Sequence, residues 1–278
     1  MNELFVMSLK AKHRSEGTIR EYTKAINNCL EYVNKPEAEI KQIDLELWQS
    51  SMSNLSSASV AQRTSAVREY FKFLYRNEFI SRNPAEMLEA PQIKNREQSA
   101  LNGEQVRSMV NAATNLRNKA IIMMLAQTGL RIHELANITL EQYESRSNNV
   151  LVIRGKGDKD RLVGLADETI KLIDSYIANE RKDGCEYLFV GNRGNKMDGK
   201  NTSAMLKVCA RKAGIENWEE LHISNHTMRR TFATMMSEAD VPIEVISKAM
   251  GHSGIQITSR YVKRTEQRAV NAMSVVNF

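Results

Sequence analysis

The stretch N-V-L-V-I-R-G-K-G-D-K-D-R-L-V-G-L, residues 149–165, decides the fold class. Two short β-type runs flank a turn of glycines and aspartates, a pattern that predicts an antiparallel hairpin. A further Y-L-F-V run, residues 187–190, is a candidate additional strand. The sequence around both segments carries helical periodicity instead. We therefore predict a mainly α protein with one small antiparallel β-sheet.

Helical periodicity fills the first ninety residues. In residues 17–33, apolar side chains recur at spacings of three and four, which places them on one helix face. A second long helix is expected to end near Tyr75, beginning after a capping serine. Arg68, Lys72 and Arg76 form a stripe on this helix, away from its apolar face. Such a stripe is usually a solvated surface, so it indicates no ligand by itself.

The chain has 278 residues, which favours two domains over one. Pro84 and Pro91 fall between the two helical regions, and a polar run follows them. Because proline and polar residues mark connecting segments, we predict an interdomain linker over residues 92–99. The expected domains are then residues 1–91 and 100–278.

Composition suits a polyanionic partner and a reducing, intracellular setting. Lysine and arginine number 39 against 33 acidic residues, a net charge of +6 that suits a polyanion. Cys29, Cys185 and Cys209 are scattered without C-x-x-C spacing, which argues against a disulfide framework or zinc ribbon. The N-terminus has acid early and only a short apolar run, so neither a signal peptide nor a membrane span is expected.

Six residues of the second domain carry groups that suit phosphate chemistry. Each also has an ordinary structural interpretation, such as a surface arginine, a charged turn, a helix cap or a packed tyrosine. Together, two arginines, a lysine and two histidines can surround a phosphate, and guanidinium groups suit its oxygens. A tyrosine hydroxyl can attack phosphorus and form a covalent intermediate. The six are Arg131, Lys156, His226, Arg229, His252 and Tyr261.

Two other hypotheses compete at this stage. His222 and His226 stand four apart and could be metal ligands, but no H-E-x-x-H pattern or nearby cysteine completes a site. We therefore predict no metal and no cofactor. Residues 231–251 also match a helix-turn-helix, as in DNA-binding repressors. That hypothesis accounts for DNA affinity and leaves Arg131, Lys156 and Tyr261 without a role.

Four segments, in this order, resemble the tyrosine recombinase (phage integrase) family, with spacing like that of Xer recombinases. They are T-G-L-R-I-H-E-L (128–135), I-R-G-K-G-D-K-D-R (153–161), H-T-M-R-R-T-F-A-T (226–234) and M-G-H-S-G-I-Q-I-T-S-R-Y (250–261). The N-terminal region is similar to the family's SAM-like, core-binding helical bundle. The resemblance implies a two-domain, C-shaped clamp around duplex DNA. A type IB topoisomerase would use similar chemistry, but the Gly-His-Ser to tyrosine spacing and the separate helical domain favour a recombinase.

The resemblance assigns the phosphate ligands residue by residue. Arg131 and Arg229 are expected to hold the non-bridging oxygens of the scissile phosphate, and His252 to hydrogen-bond it. Glu134 matches the family's acidic position after the first arginine and is expected to orient its neighbours. Arg230 is a departure, since family members often have histidine directly after the second arginine.

The resemblance also assigns the proton transfers. Tyr261 is expected to form a 3′-phosphotyrosyl link, His226 to assist proton transfer at the tyrosine, and Lys156 to protonate the leaving 5′-oxygen. An alkoxide is a poor leaving group, so a general acid is required. The phosphotyrosyl bond conserves the energy for religation, which implies activity without metal or ATP.

The expected partners follow from the same resemblance. They are a double-stranded recombination site with inverted repeats and further copies of this chain, as a dimer on one site and a tetramer in the synapse. The family also allows accessory DNA-binding proteins and involves no membrane. The expected location is the cytoplasm, with a bacterial, phage or mobile-element gene. The candidate DNA-contact residues are Arg68, Lys72, Arg76, Lys159, Arg161, Arg230 and Arg260.

Overall fold

The fold comes from a computed structural model that describes residues 2–92, 100–154 and 160–251. The chain divides into two compact units, Met1–Arg96 and Glu97–Phe278. The polar run predicted as a linker lies almost entirely outside the described residues. Within those residues, no helix is long and apolar enough to cross a membrane.

The N-terminal unit is a helical bundle. Its large buried side chains include Trp48, Tyr70 and Phe71, and the indole Nε1 of Trp48 donates to Asn28 Oδ1 at 3.1 Å. These groups form one hydrophobic core. The helices are α1 (Asn2–Ala11), α2 (Glu16–Val33), a 3₁₀ turn (Glu37–Glu39), α3 (Gln42–Ser50) and α4 (Ser57–Arg76).

Helix α4 has one buried and one exposed side. Ser56 caps its first turn by accepting from the N–H of Ser59 at 3.2 Å, which confirms the predicted serine cap. The predicted apolar face is buried in the bundle core, whereas Arg68, Lys72 and Arg76 are exposed. These three side chains line an open cleft of about 540 Å³ on this unit.

The C-terminal unit is also mainly helical and has its own core, with a smaller apolar cluster between its last two described helices. The backbone N–H groups at the start of its helix α6 are capped from a distant helix. Glu180 accepts from the N–H groups of Leu116 and Arg117 at 2.8 and 3.1 Å. The helices are α5 (Gly103–Ala112), α6 (Leu116–Thr128), α7 (Ile132–Asn137), α8 (Leu140–Glu144), α9 (Asp167–Asn179), α10 (Gly199–Lys212), α11 (Asn225–Glu238) and α12 (Ile243–Met250).

The predicted hairpin is present. Strands β1 (Val150–Arg154) and β2 (Asp160–Gly164) pair antiparallel, with Ile153 opposite Arg161. Mainly helical structure with one small antiparallel sheet is therefore confirmed. The candidate strand at residues 187–190 is wrong: Tyr187 and Val190 form only isolated bridges. Its residues are held by packing, since the Phe189 ring stacks on Tyr176 at 5.7 Å between centroids.

Gly129 determines the direction in which the chain leaves α6. It ends the helix in the left-handed region, with φ of 59°, as predicted. A Cβ at this position would lie 2.4 Å from the ring of Phe232 on α11. Because only glycine permits both the backbone angle and this approach, the chain turns sharply into α7 directly against α11.

Candidate active site

Arg131 lies at the start of α7, directly after the turn at Gly129. Its main-chain N–H donates to Glu134 Oε2 at 2.7 Å, and its Nη1 donates to Glu134 Oε1 at 3.1 Å. An acidic residue three positions into a helix commonly caps the first N–H groups in this way. Glu134 therefore fixes both the backbone and the guanidinium of Arg131, which supports the predicted orienting role.

A second arginine also bonds to the carboxylate of Glu134. Arg161 on β2 donates from Nη1 and Nη2 to Oε1 and Oε2 of Glu134, at 2.9 and 2.7 Å. The carboxylate is 1% exposed and the Arg161 side chain 10% exposed, so this is a buried, bidentate ion pair. Burial alone raises the pKa of Glu134. The hydrogen bonds and charges of Arg161 and Arg131 outweigh burial and lower that pKa to about 2.

Three arginines converge on the C-terminal end of α12. Its last carbonyls have no partner within the helix and carry the negative end of the helix dipole. Arg161 Nε donates to the carbonyl of Ala249 at 3.0 Å, and Arg229 Nη2 to that of Met250 at 2.6 Å. Arg131 Nη2 donates to the carbonyl of Gly251 at 3.2 Å. We call Ala249, Met250 and Gly251 the α12 carbonyl triplet.

Arg229 joins this end of α12 to the turn that follows α6. It is 4% exposed, and besides Met250 its guanidinium donates to the carbonyl of Gly129. Arg131 is close by, two residues after Gly129 in sequence and bonded to the same carbonyl triplet. The structure thus brings the two predicted phosphate-binding arginines to one location.

His226 lies one helical turn before Arg229 on α11, as the sequence spacing predicts. Partial burial of the ring lowers the pKa of His226, and the positive charges of Arg230, Arg229 and Arg131 lower it further. The imidazole is therefore neutral at neutral pH and able to accept a proton. Its edge still reaches solvent, since the residue as a whole is exposed.

Several predicted site residues lie outside the described residues. These are Lys156, Lys159, His252, Arg260 and Tyr261. Their sequence positions are nevertheless informative. Lys156 and Lys159 belong to the segment that joins β1 to β2, and His252 follows Gly251, whose φ of 63° ends α12 as predicted.

Two of the predicted DNA contacts have partners within the protein. Arg161 directs all three of its guanidinium nitrogens at protein acceptors, namely Glu134 and Ala249. Arg230 is 9% exposed and donates to Thr227 Oγ1 at 3.1 Å. Both side chains are largely buried, and a role for them in DNA contact stays a prediction.

The spacing argument that made His222 and His226 candidate metal ligands does not hold in the structure. His222 precedes α11, with φ of 45°, so it does not share a helix face with His226. Across residues 2–92, 100–154 and 160–251, no three histidine, cysteine, aspartate or glutamate side chains are grouped as metal ligands would be.

The inward placement of Arg161 was not predicted, although the sequence carries a signal for it. Side chains alternate between the two faces of a strand, so Arg161 and Val163 share a face. Val163 is buried, and so is Ile153 opposite Arg161. The period of two therefore predicts that Arg161 points inward. The carbonyl triplet has no comparable signal, because main-chain acceptors are present at every residue.

The chain is similar to known proteins over most of its length. Residues 99–268 match the phage integrase family, and residues 3–78 match the phage integrase N-terminal SAM-like domain. Tyrosine recombinase XerA of Pyrococcus horikoshii is 32% identical over 275 residues, covering 98% of this chain and 91% of the relative.

Solved structures show the same fold. A crystal structure of XerA recombinase aligns with a TM-score of 0.56 at 27% identity, covering 100% of this chain and 98% of the other. XerH recombinase, bound to a palindromic difH substrate in a post-cleavage complex, aligns at 0.75 with 21% identity, covering 96% and 82%. On the family match and the identity to XerA, the chain belongs to the phage integrase family of tyrosine recombinases.

Proposed function

We propose that this chain is a site-specific recombinase that cleaves DNA with Tyr261 as the nucleophile. The tyrosine oxygen attacks the scissile phosphorus, a 3′-phosphotyrosyl bond forms and the 5′-oxygen leaves with a proton. Attack by the 5′-hydroxyl of a partner strand reverses the step and passes through a Holliday junction. The observation that carries the proposal is the convergence of Arg131, Arg229 and His226 beside the end of α12, from which the chain continues to His252 and Tyr261.

The arginines supply charge stabilisation in this proposal. Charge grows on the equatorial oxygens in the pentacoordinate transition state, and preorganised donors stabilise it most where water is excluded. Arg131 and Arg229 are held before any ligand arrives, by Glu134 and by the α12 carbonyl triplet. Holding the donors in advance lowers the reorganisation that the reaction requires. His252 is the proposed third phosphate donor.

Protons move through His226 and Lys156. A tyrosine with an ordinary pKa of ~10 must lose its proton to attack. A neutral His226 can accept that proton, and the lowered pKa of His226 keeps it neutral at physiological pH. Lys156, between two glycines in the segment joining β1 to β2, is the proposed acid for the 5′-oxygen. No ATP is needed, because the covalent bond stores the energy of the broken phosphodiester.

DNA and further copies of this chain are the proposed partners. The exposed stripe of Arg68, Lys72 and Arg76 offers cations for phosphate contacts in the N-terminal unit. The similarity to XerH, described on a palindromic substrate, supports a site with inverted repeats. A palindromic site offers two equivalent half-sites, which suits a dimer on each site. A tetrameric synapse, accessory DNA-binding proteins and a cytoplasmic location complete the proposal.

Covalent capture on random-sequence DNA tests this function whatever the target sequence is. Wild-type protein is incubated, with EDTA present, with a library of short blunt duplexes of random sequence. A cut near an end releases a short fragment that diffuses away, so the protein stays attached to the DNA. We expect an adduct that resists detergent, disappears with protease and identifies the preferred sequence.

The Tyr261→Phe variant is the matched control. It keeps the aromatic ring and removes the attacking oxygen, so we expect DNA binding without an adduct. An adduct with this variant would overturn the assignment of Tyr261. Binding without an adduct by the wild type would favour a binding-only protein. Relaxation of supercoiled DNA without strand exchange would indicate a topoisomerase, and cleavage abolished by EDTA a metal-dependent nuclease.

A further inference from the structure

The strongest unassigned feature of the molecule is Arg161. It is one of the predicted DNA contacts, and the recombinase chemistry proposed above gives it no role. Its three guanidinium nitrogens are nevertheless directed at acceptors on two different elements.

Arg161 lies where three site-bearing segments meet. Its own strand, β2, leads out of the segment that carries Lys156. Its Nη atoms hold Glu134, which in turn holds the backbone and side chain of Arg131. Its Nε holds the carbonyl of Ala249, two residues before the chain passes from α12 toward His252.

Gly251 shows that this contact is close-packed. A Cβ at position 251 would lie 3.1 Å from Arg161 Nη1 and 3.3 Å from both its Cδ and Cζ. The end of α12 therefore rests directly on the guanidinium plane. Any displacement of this plane moves the point at which the chain leaves α12.

We propose that Arg161 is a positioning residue for DNA cleavage. Its planar guanidinium sets the relative positions of Arg131, the β1–β2 hairpin and the end of α12. It touches no reacting atom. The inference rests on the proposed recombinase function, since positioning has no meaning without the reaction.

Lysine in place of Arg161 separates charge from geometry. Arg161→Lys keeps a positive charge beside Glu134 and loses the planar fork that bonds Glu134 and Ala249 together. Misplacement of a catalytic group by about 1 Å costs on the order of 100-fold in rate. We expect the rate of adduct formation at saturating DNA to fall by about that factor.

DNA affinity distinguishes positioning from direct contact. Substitution of a positioning residue leaves the Kd for DNA and its salt dependence close to the wild-type values. Removal of a phosphate contact instead lowers the slope of log K against log salt by about one, while the rate of adduct formation at saturating DNA stays normal. A lowered salt slope with a normal rate would show that Arg161 is a DNA contact and would overturn the inference. Arg154→Lys, an exposed arginine of the same hairpin, is the matched control and should keep the saturated rate.

A double variant covers the case in which single variants fold poorly. Arg161→Met with Glu134→Gln removes both charges together and leaves no buried ion unpaired. The matched comparison is Glu134→Gln alone, because Glu134 also holds Arg131. If Arg161 only neutralises Glu134, the double variant cleaves as fast as Glu134→Gln, and the inference fails. If Arg161 positions the site, the double variant cleaves about 100-fold more slowly than Glu134→Gln.

The two proposals fail in different ways. If the wild type forms no adduct, the recombinase proposal fails. If the wild type forms adducts and the Arg161 variants form them at the same rate, only the positioning role fails.

Discussion

Two groups of basic residues in this protein have the same chemistry and opposite surroundings. Arg68, Lys72 and Arg76 stand exposed along α4, whereas Arg161 and Arg229 are enclosed at the end of α12. The first group lines an open cleft on the N-terminal unit. The second group bonds to a carboxylate and to main-chain carbonyls.

The difference in burial decides what each group can do. Exposed charges are hydrated and screened by salt, so each contributes little to stability and remains available to a polyanion. A buried arginine without partners is strongly unfavourable, so its partners are part of the fold. We infer that the exposed group serves affinity, while the enclosed group serves geometry and chemistry.

Arg229→Lys should give the largest effect and tests the enclosed group directly. Lysine keeps the charge but cannot match the planar contacts to Gly129 and Met250. Loss of one preorganised donor costs about 100- to 1,000-fold in rate. We expect this loss in single-turnover adduct formation, with Kd for DNA nearly unchanged. The exposed Arg107→Lys is the control, and a loss below tenfold for Arg229→Lys would contradict its catalytic role.

Glu134→Gln tests the enclosed group through stability. The change leaves Arg161 facing an uncharged amide, and breaking a buried pair costs about 3–5 kcal/mol. Hydrogen exchange of the C-terminal unit's amides in urea measures this loss. The comparison is Lys35→Gln, which removes the exposed partner of Asp44 and should cost less than about 1 kcal/mol. Equal losses would show that burial makes no difference here.

The same carboxylate predicts how stability depends on pH. The pKa of Glu134 is lowered to about 2 in the folded chain, against ~4.3 when unfolded. Its stabilisation is therefore complete above the unfolded value and is lost as pH falls toward 2. The loss amounts to about 3 kcal/mol, and acid unfolding of wild type against Glu134→Gln isolates it. A variant curve with the wild-type slope between pH 4.3 and 2 would refute this prediction.

Arg68→Ala and Lys72→Ala should give the smallest effects. Each removes one exposed cation, so the slope of log K against log salt should fall by about one. The rate of adduct formation at saturating DNA should stay at its wild-type value. Lys10→Ala, an exposed lysine of α1 outside the cleft, serves as control. Unchanged salt dependence in both variants would remove the α4 stripe from the DNA interface.

Much of the fold could be predicted because its signals are local. Ser56 and Gly129 mark helix ends through their own backbone chemistry, and alternation of residue type marks the hairpin. The Y-L-F-V run at residues 187–190 was wrongly predicted as a strand, because a short apolar run fits a buried irregular segment as well as a strand.

The functional site was likewise predictable only in part. Residue types and spacing pointed to Arg131, His226 and Arg229, and the structure brings them together. Arg161 was predicted as a DNA contact, because a basic residue next to a basic turn suggests a surface. The structure shows its guanidinium bonded to Glu134 and Ala249.

By itself, the sequence determined the helical class, the hairpin, the family and the identity of the groups that can act on a phosphate. These follow from side-chain chemistry and short-range spacing, which one chain segment carries alone. Only the tertiary structure decided that Glu134 and Arg161 form a buried pair and that three arginines share one helix end. The physical reason is that burial and main-chain acceptors become distinct only when segments far apart in sequence pack against each other.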